Sequence, residues 1–257
     1  MSRTVIFFVA AVFSWLTMAE TVFTVAYENK TQLPYYIGES SSVLPDKPGA
    51  AVELRRRLES SVPGLKVVLK RYPWKRCLSE LEKGNVDGIF NASFKEKRLQ
   101  FGNYPWKDGA VDTDRRLTTI SYSFYRTKDS AFSWDGENVT GVIKSIGAPR
   151  GYSIVGDLKK KGLDVSEANS SESNLMKLVH GRVSAIALQT VTGDYFLKTD
   201  TRFANIQKIE PPLKTKPYYL MISRQFGKAN PELSEKIWDS VSTLREQALP
   251  VLTEKYF

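Results

Sequence analysis

The chain has 257 residues, which is enough for two lobes of about 100 residues each. Apolar residues make up 42% and charged residues 25% of the chain, as in a folded globular protein. The single cysteine excludes an intramolecular disulfide, a cysteine-rich zinc site and an iron–sulfur cluster, and the single histidine argues against sites built on paired histidines. The formal charge of +9 is compatible with nucleic acid, a membrane surface or an anionic solute as partner.

The N-terminus has the pattern of a secretory signal peptide. Arg3 precedes an uncharged run in which Val5 to Leu16 is dominated by apolar side chains, and small residues follow at Thr17 and Ala19. This run is shorter than the roughly 20 residues of a transmembrane helix. We therefore expect residues 1–19 to be removed and the protein to be exported, which also argues against nucleic acid as a partner. Because no cysteine lies near the expected cleavage site, we expect no lipoprotein signal and a location in the periplasm of a Gram-negative bacterium.

Strands and helices alternate along the rest of the chain. We predict strands over 22–27, 65–71, 86–90, 116–126, 144–148, 184–188 and 216–223, and helices over 48–60, 74–83 and 173–180, after 151 and from 231 onward. The last helix begins at Pro231, and proline is favoured in the first turn of a helix. Because alternating strands and helices give parallel strands that are covered on both faces, we expect an α/β fold with mainly parallel sheets.

One motif occurs twice. LSELEKGNVDGIF begins at Leu78, and LMKLVHGRVSAIA begins 97 residues later at Leu175, with leucine, glycine, valine and isoleucine in matching positions. Each copy predicts an amphipathic helix, a glycine that ends it in a left-handed conformation (Gly84 and Gly181), and a short buried strand. The repeat indicates two lobes of related build. Ligands of such sheets bind beyond the carboxyl ends of the strands, where helices begin.

From Phe23 to the C-terminus the chain resembles the type II periplasmic solute-binding proteins, in particular the extracellular solute-binding protein family 3 of polar amino acid ABC transporters. The resemblance rests on WKRCLSELEKGNVDGIFNASFKEKRLQFGNYPW, on GRVSAIALQT and on PYYLMIS near the C-terminus. It implies two lobes joined by two crossing segments, near 112–126 and 211–223. Lobe 1 would comprise residues 20–112 and 216–257, and lobe 2 residues 113–215.

The resemblance also implies a ligand site between the lobes. Arg98 stands where family members place the arginine that binds the ligand carboxylate, a task suited to a guanidinium that donates two parallel hydrogen bonds. The other expected contacts in lobe 1 are Asn91, Ser93, Trp74, Glu28, Tyr27 and Tyr35, of which Trp74 is equally compatible with core packing and Tyr35 would serve as an aromatic lid. Those in lobe 2 are Gln189 and the turn with Arg150, Tyr152 and Ser153, whose helix amides would face the carboxylate. Two arginines on one cleft, Arg98 and Arg150, would favour an anionic group.

Gln189 departs from the family pattern. Many amino-acid binders have an acid at this position, which holds the α-ammonium group of the ligand. A neutral amide cannot neutralise that group, and Asp194 follows in the next predicted helix, at a distance that is unfavourable for the same task. An amino acid, a carboxylate without an amine and a peptide-like or modified acid therefore stay open as ligands.

The resemblance implies a monomeric periplasmic protein that captures a small polar, carboxylate-bearing ligand by hinge closure for an inner-membrane ABC permease. It implies no cofactor, no metal and no catalytic residue. Two alternatives stay open. One is an enzyme on the same fold, similar to cyclohexadienyl dehydratase, with Glu28 or a lysine of the cleft as acid or base; the other is a ligand-sensing partner of a membrane receptor. We expect Cys77 to be a buried core thiol and His180 to sit at the end of its helix, where a cation suits the helix dipole.

Overall fold

The computed structural model describes residues 20–141 and 144–256. The predicted signal peptide lies outside these residues. Among the helices that are described, none combines the length and the apolar character needed to cross a bilayer.

The N-terminal half of the chain forms three long strands, two helices and three short strands. These are β1 (Thr21–Glu28), α1 (Ala50–Ser61), β2 (Leu65–Tyr72), α2 (Trp74–Glu82), β3 (Gly88–Ser93), β4 (Gly102–Asn103), β5 (Trp106–Lys107) and β6 (Ala110–Val111). Strand β1 lies between β2 and β3 and is parallel to both. The carboxyl ends of these strands therefore meet at one edge of the sheet.

A second set of parallel strands follows. Its elements are β7 (Thr118–Thr127), β8 (Ser133–Trp134), β9 (Val139–Thr140), β10 (Ile146–Pro149), α3 (Ser153–Lys160), β11 (Val165–Ala168), α4 (Ser171–Val179), β12 (Ala185–Gln189) and α5 (Thr190–Thr199). Strand β10 lies between β11 and β12 and is parallel to both. The chain ends with β13 (Ile206–Ser223), α6 (Arg224–Ala229) and α7 (Pro231–Glu254).

Two long antiparallel strands join the parallel sets. The sheet order is β11-β10-β12-β7-β13-β3-β1-β2, with β4 also paired to β13. Strand β13 begins at Ile206, well before the predicted start at 216, because its first part pairs with β7. Its pairing is interrupted between Ile209 and Lys214, where Pro211 and Pro212 have no N–H to donate to the ladder. The α/β fold with parallel strands is confirmed, and the crossing strands are antiparallel.

Both copies of the repeated motif form the predicted units. In the first copy, α2 is followed by Gly84 with φ 73° and by β3; in the second, α4 is followed by Gly181 with φ 61° and by β12. Cys77 on α2 is a fully buried free thiol, and burial raises its pKa. His180 caps the end of α4, where its Nδ1 lies 2.7 Å from the carbonyl oxygen of Met176.

The C-terminal helix packs on the N-terminal half of the chain. Ile237, Trp238 and Val241 of α7 are buried in one apolar cluster with Phe23 of β1 and Leu54 of α1. A separate apolar cluster contains side chains from β7, β10, α3 and β12. The division into two lobes with boundaries at 112/113 and 215/216 stays a prediction.

Candidate functional site

The predicted contacts surround a narrow cavity between the two sets of parallel strands, which we call the inner compartment. Eight of the predicted residues line it, namely Glu28, Trp74, Asn91, Ser93, Arg98, Tyr152, Ser153 and Gln189. They come from the carboxyl ends of β1, β3 and β12, from the starts of α2 and α3 and, for Arg98, from a short 3-10 helix after β3. Its volume of about 10 Å³ is room for about one water molecule. Anything larger needs more room than the inner compartment has in this structure.

Arg98 is held at one end of the inner compartment. It lies on a short 3-10 helix, Glu96–Gln100, and is only 4% exposed. Its Nη1 donates a 2.7 Å hydrogen bond to the carbonyl oxygen of Ser93, and its guanidinium carbon lies 5.4 Å from the centre of the Trp74 ring. These contacts fix the side chain, and the guanidinium lines the inner compartment with N–H groups that can bind a carboxylate.

Two lysines surround Arg98 and add positive charge to this end. Lys216 of β13 donates a 3.0 Å hydrogen bond to the Ser153 hydroxyl and forms an ion pair with Asp157. Burial lowers the pKa of Lys95 to about 8, and the charges of Arg98 and Lys216 act in the same direction. Asp157 and Glu167 act to raise the pKa of Lys95, so two carboxylates oppose these three cations, and the positive charge that lines the inner compartment itself is that of Arg98.

Asn91 owes its position to a bulge in β3. The pairing with β13 shifts between Tyr219 and Met221, so that one residue of β13 faces two of β3. Asn91 adopts a left-handed conformation with φ 56°, which asparagine tolerates better than most residues. Its side chain is 6% exposed, and its Nδ2 has no hydrogen-bond partner among the residues that the structure describes. A buried donor without a partner is a candidate for binding a ligand oxygen.

Glu28 connects the two halves across the site. The Tyr152 hydroxyl at the start of α3 donates to its Oε2, and the Tyr36 hydroxyl donates to the same atom at 3.4 Å. Burial raises the pKa of Glu28 to about 7, although both hydrogen bonds act to lower it. The carboxyl group therefore changes its charge near neutral pH while it bridges residues of both halves.

Gln189 takes part in a neutral hydrogen-bond network. Its Nε2 donates to the Tyr122 hydroxyl at 3.4 Å, and that hydroxyl lies 2.6 Å from the hydroxyl of Tyr218. Asp194 is engaged elsewhere, since it accepts hydrogen bonds from Tyr125 at 2.9 Å and from Lys208 at 2.8 Å. At this end of β12 the site thus carries neutral amide and phenol groups.

Three of the predicted contacts lie outside the inner compartment. Tyr27 is completely buried in the apolar core, stacked on Phe90 with ring centres 4.8 Å apart, because alternation along β1 turns it away from Glu28. Tyr35 does not form a lid: its hydroxyl donates to the carbonyl oxygen of Thr119 at 3.4 Å, in a groove beside α7. Arg150 lines an adjoining cavity, the outer compartment, so the two arginines do not meet at one point.

The sequence analysis missed three residues that line the inner compartment, namely Gln32, Tyr36 and Tyr218. Gln32 and Tyr36 lie in the loop after β1, whose path no periodic pattern predicts. Tyr218 lies in the predicted strand KPYYLMIS beside Tyr219. Alternation indicates that these two tyrosines face opposite sides of the sheet, but only the fold shows which side carries the site.

Comparison with known proteins identifies the fold. No protein-family model matches the chain, and no curated protein matches its sequence. A histidine kinase sensor domain with similarity to periplasmic binding proteins has a TM-score of 0.73 at 18% identity, over 93% of this chain and 96% of that one. ArtJ of Geobacillus stearothermophilus, which binds arginine, lysine and histidine, has a TM-score of 0.69 at 16% identity, over 92% and 95%.

A third solved structure concerns the alternative that a protein of this fold is an enzyme. AncCDT-1, an ancestral amino acid-binding protein and a precursor of cyclohexadienyl dehydratase, has a TM-score of 0.68 at 16% identity, over 92% of this chain and 95% of that one. Most of these similar structures are binding proteins rather than enzymes. The order of its strands and the similarity to these solved structures show that the chain has the fold of the type II periplasmic binding proteins.

Proposed function

We propose that this protein binds a small solute with an anionic group in the inner compartment and delivers it to an inner-membrane ABC permease. The observation that carries the proposal is the position of Arg98. It is a buried arginine beside Trp74, at the carboxyl ends of parallel strands, and N–H groups of its guanidinium remain available. The fold and its solute-binding neighbours support the same role. The predicted signal peptide supports a periplasmic location.

Binding would proceed by hinge closure. The crossing strands β7 and β13 connect the two halves, and the ligand enters while the halves are apart. Arg98, Asn91 and Trp74 then contact it from one side, and Tyr152 and Ser153 from the other. Because contacts from both halves form only in the closed state, the ligand shifts the population towards that state.

The proposal is tested by finding the ligand and then changing Arg98. Native mass spectrometry of freshly purified protein and a thermal-shift screen of amino acids and organic acids identify the ligand. At 100 times its dissociation constant, a ligand adds about 2.7 kcal/mol to the free energy of unfolding. Arg98→Ala should then weaken binding by about 2–5 kcal/mol in isothermal titration, because the ligand carboxylate loses its partner on closure. Arg98→Lys should recover only part of this loss.

Arg182 provides the matched control, since it is an exposed arginine between α4 and β12, away from the inner compartment. Arg182→Ala should bind as the wild type does. If Arg98→Ala binds within about threefold of the wild type, a difference below 1 kcal/mol, the site is wrongly assigned.

A sensing role is a second candidate, favoured by the similarity to the histidine kinase sensor domain. The binding step would be the same, and only the membrane partner would differ. Crosslinking of the ligand-loaded protein in native membranes separates the two, because the captured partner is either a permease or a receptor. The dehydratase alternative predicts turnover of a cyclic prephenate-like acid. Mass spectrometry after incubation with such an acid should show no product if the protein only binds.

A further inference from the structure

The outer compartment adjoins the inner one and is much larger. Its volume is about 330 Å³, within the range of small-molecule sites. Glu28, Gln32, Tyr152 and Gln189 line both compartments, so the two adjoin each other. The hydrogen bond from Tyr152 to Glu28 lies at the junction.

Arg150 is the charged side chain of the outer compartment that lacks a partner. Two of the acids that line it are already paired: Glu39 with Lys30 at 3.0 Å, and Glu172 with Arg202 at 2.6 Å. Within residues 20–141 and 144–256, the Arg150 guanidinium forms neither an ion pair nor a hydrogen bond. It is exposed at the end of β10, where its backbone N–H donates to the carbonyl oxygen of Ala168 at 2.8 Å.

Two helices begin at the same place. Strands β10, β11 and β12 are parallel, so their carboxyl ends meet here, and α4 and α5 start directly beyond β11 and β12. Asn169 to Glu172 at the start of α4 and Thr192 at the start of α5 line the compartment. The first N–H groups of a helix have no partner within the helix, and its dipole favours negative charge.

Two buried polar side chains independently indicate a ligand. Thr192 is 5% exposed and Gln32 is 4% exposed. Within the described part of the chain, the Thr192 hydroxyl and both polar atoms of the Gln32 amide have no hydrogen-bond partner. Both residues line the outer compartment. Buried polar groups require such partners, which a polar ligand would supply.

We propose that the outer compartment is a second anion subsite and that the ligand is an elongated acid with an anionic group at each end. One end binds Arg98 in the inner compartment. The other binds Arg150 and the first turns of α4 and α5. Between them the ligand passes the amides of Gln32 and Gln189. This inference rests on the proposed function and specifies its class of substrate, a dicarboxylate.

The test compares acids that differ only in the second charge. The probes are succinate, glutarate, adipate, pimelate and suberate, each paired with its monomethyl ester. Isothermal titration uses the mature wild type and the variants Arg150→Gln, Arg98→Gln and the exposed control Arg182→Gln. At least one diacid should bind the wild type more than about tenfold tighter than its half ester, which is about 1.4 kcal/mol.

The variants decide where the second charge is bound. Arg150→Gln should bind that diacid and its half ester equally, while Arg182→Gln keeps the difference and Arg98→Gln weakens both. A half ester that binds as tightly as its diacid, or a difference that survives in Arg150→Gln, overturns the inference. So does the failure of every diacid in the series. A solute with a single anionic group that binds through Arg98 would overturn the second subsite and leave the proposed function intact.

Discussion

Glu28 combines burial, two phenol donors and a position between the two halves. Tyr152 and Tyr36 donate to one of its oxygens, and the side chain is 6% exposed. Desolvation outweighs the two hydrogen bonds, so the pKa of the carboxyl group is raised to about 7. The folded protein therefore holds the proton of Glu28 at pH values where the unfolded chain has released it.

This difference predicts a pH dependence of stability. The contribution of Glu28 to the free energy of unfolding is fully present below about pH 4.5 and is lost as the pH rises through about 7, because the folded-state pKa is the higher one. Glu28→Gln carries a neutral amide at every pH. Its stability relative to the wild type should therefore increase between pH 4.5 and pH 8, by up to about 3 kcal/mol.

Urea denaturation at several pH values measures this difference. Glu137→Gln removes an exposed carboxyl group of the other half and serves as the control, for which no comparable trend is expected. A constant difference between Glu28→Gln and the wild type over the whole range would show that Glu28 is ionised and well solvated in the folded protein.

Among the elements, α7 shows how the end of the chain completes the N-terminal half. The Trp238 indole Nε1 donates a 2.8 Å hydrogen bond to the carbonyl oxygen of Leu220 in β13. Its ring is 4% exposed, in the cluster that also contains Phe23 and Leu54. The helix therefore covers one face of the sheet formed by β1, β3 and β13.

Substitutions at different positions of α7 should lower the free energy of unfolding by very different amounts. Trp238→Ala should lower the free energy of unfolding by about 3–5 kcal/mol, because it leaves a cavity in the core. Trp238→Phe keeps much of the apolar contact and leaves the Leu220 carbonyl unpaired, which costs about 1–3 kcal/mol. Val251→Ala changes a residue of the same helix that is 61% exposed, and should stay within about 0.5 kcal/mol of the wild type. If Trp238→Ala cost no more than Val251→Ala in urea denaturation, α7 would not pack on the sheet as described.

For the whole molecule, the hydrogen bond from Tyr152 to Glu28 connects the two halves across the cleft. Tyr152→Phe removes this hydroxyl and keeps the ring. A hydrogen bond contributes about 0.5–1.5 kcal/mol between neutral groups and about 1.5–3 kcal/mol when one partner is charged, so the variant should populate open conformations more than the wild type does. Small-angle X-ray scattering without ligand should then show a larger radius of gyration.

The control removes a similar bond that does not cross the cleft. The Tyr256 hydroxyl donates to Glu53 at 2.5 Å, and both residues lie on the same side of the cleft, where Tyr256 packs on the cluster that contains α1. Tyr256→Phe should therefore leave the radius of gyration unchanged. An unchanged radius in Tyr152→Phe would mean that this bond does not hold the halves together.

Much of the fold was predictable because it depends on local pattern. Apolar periodicity indicated α2, β3, α4 and β12, and the glycines that end the two helices adopt the predicted left-handed conformation. Ligands bind beyond the carboxyl ends of parallel strands, and this rule, together with the family resemblance, predicted a common site for Arg98, Asn91 and Glu28. These three side chains line one cavity. These features follow from residues that are close in sequence or from a general property of parallel sheets.

Tertiary structure decided what depends on contacts between distant segments. Tyr27 and Glu28 are neighbours in β1, yet one is in the core and the other in the site, because successive side chains of a strand face opposite sides. Gln32 and Tyr36 enter the site through a loop without a periodic pattern. Arg150 occupies a separate compartment because it lies where α4 and α5 begin. The sequence by itself thus determined the elements and the edge of the sheet that carries the site, while packing of the two halves determined which side chains meet there.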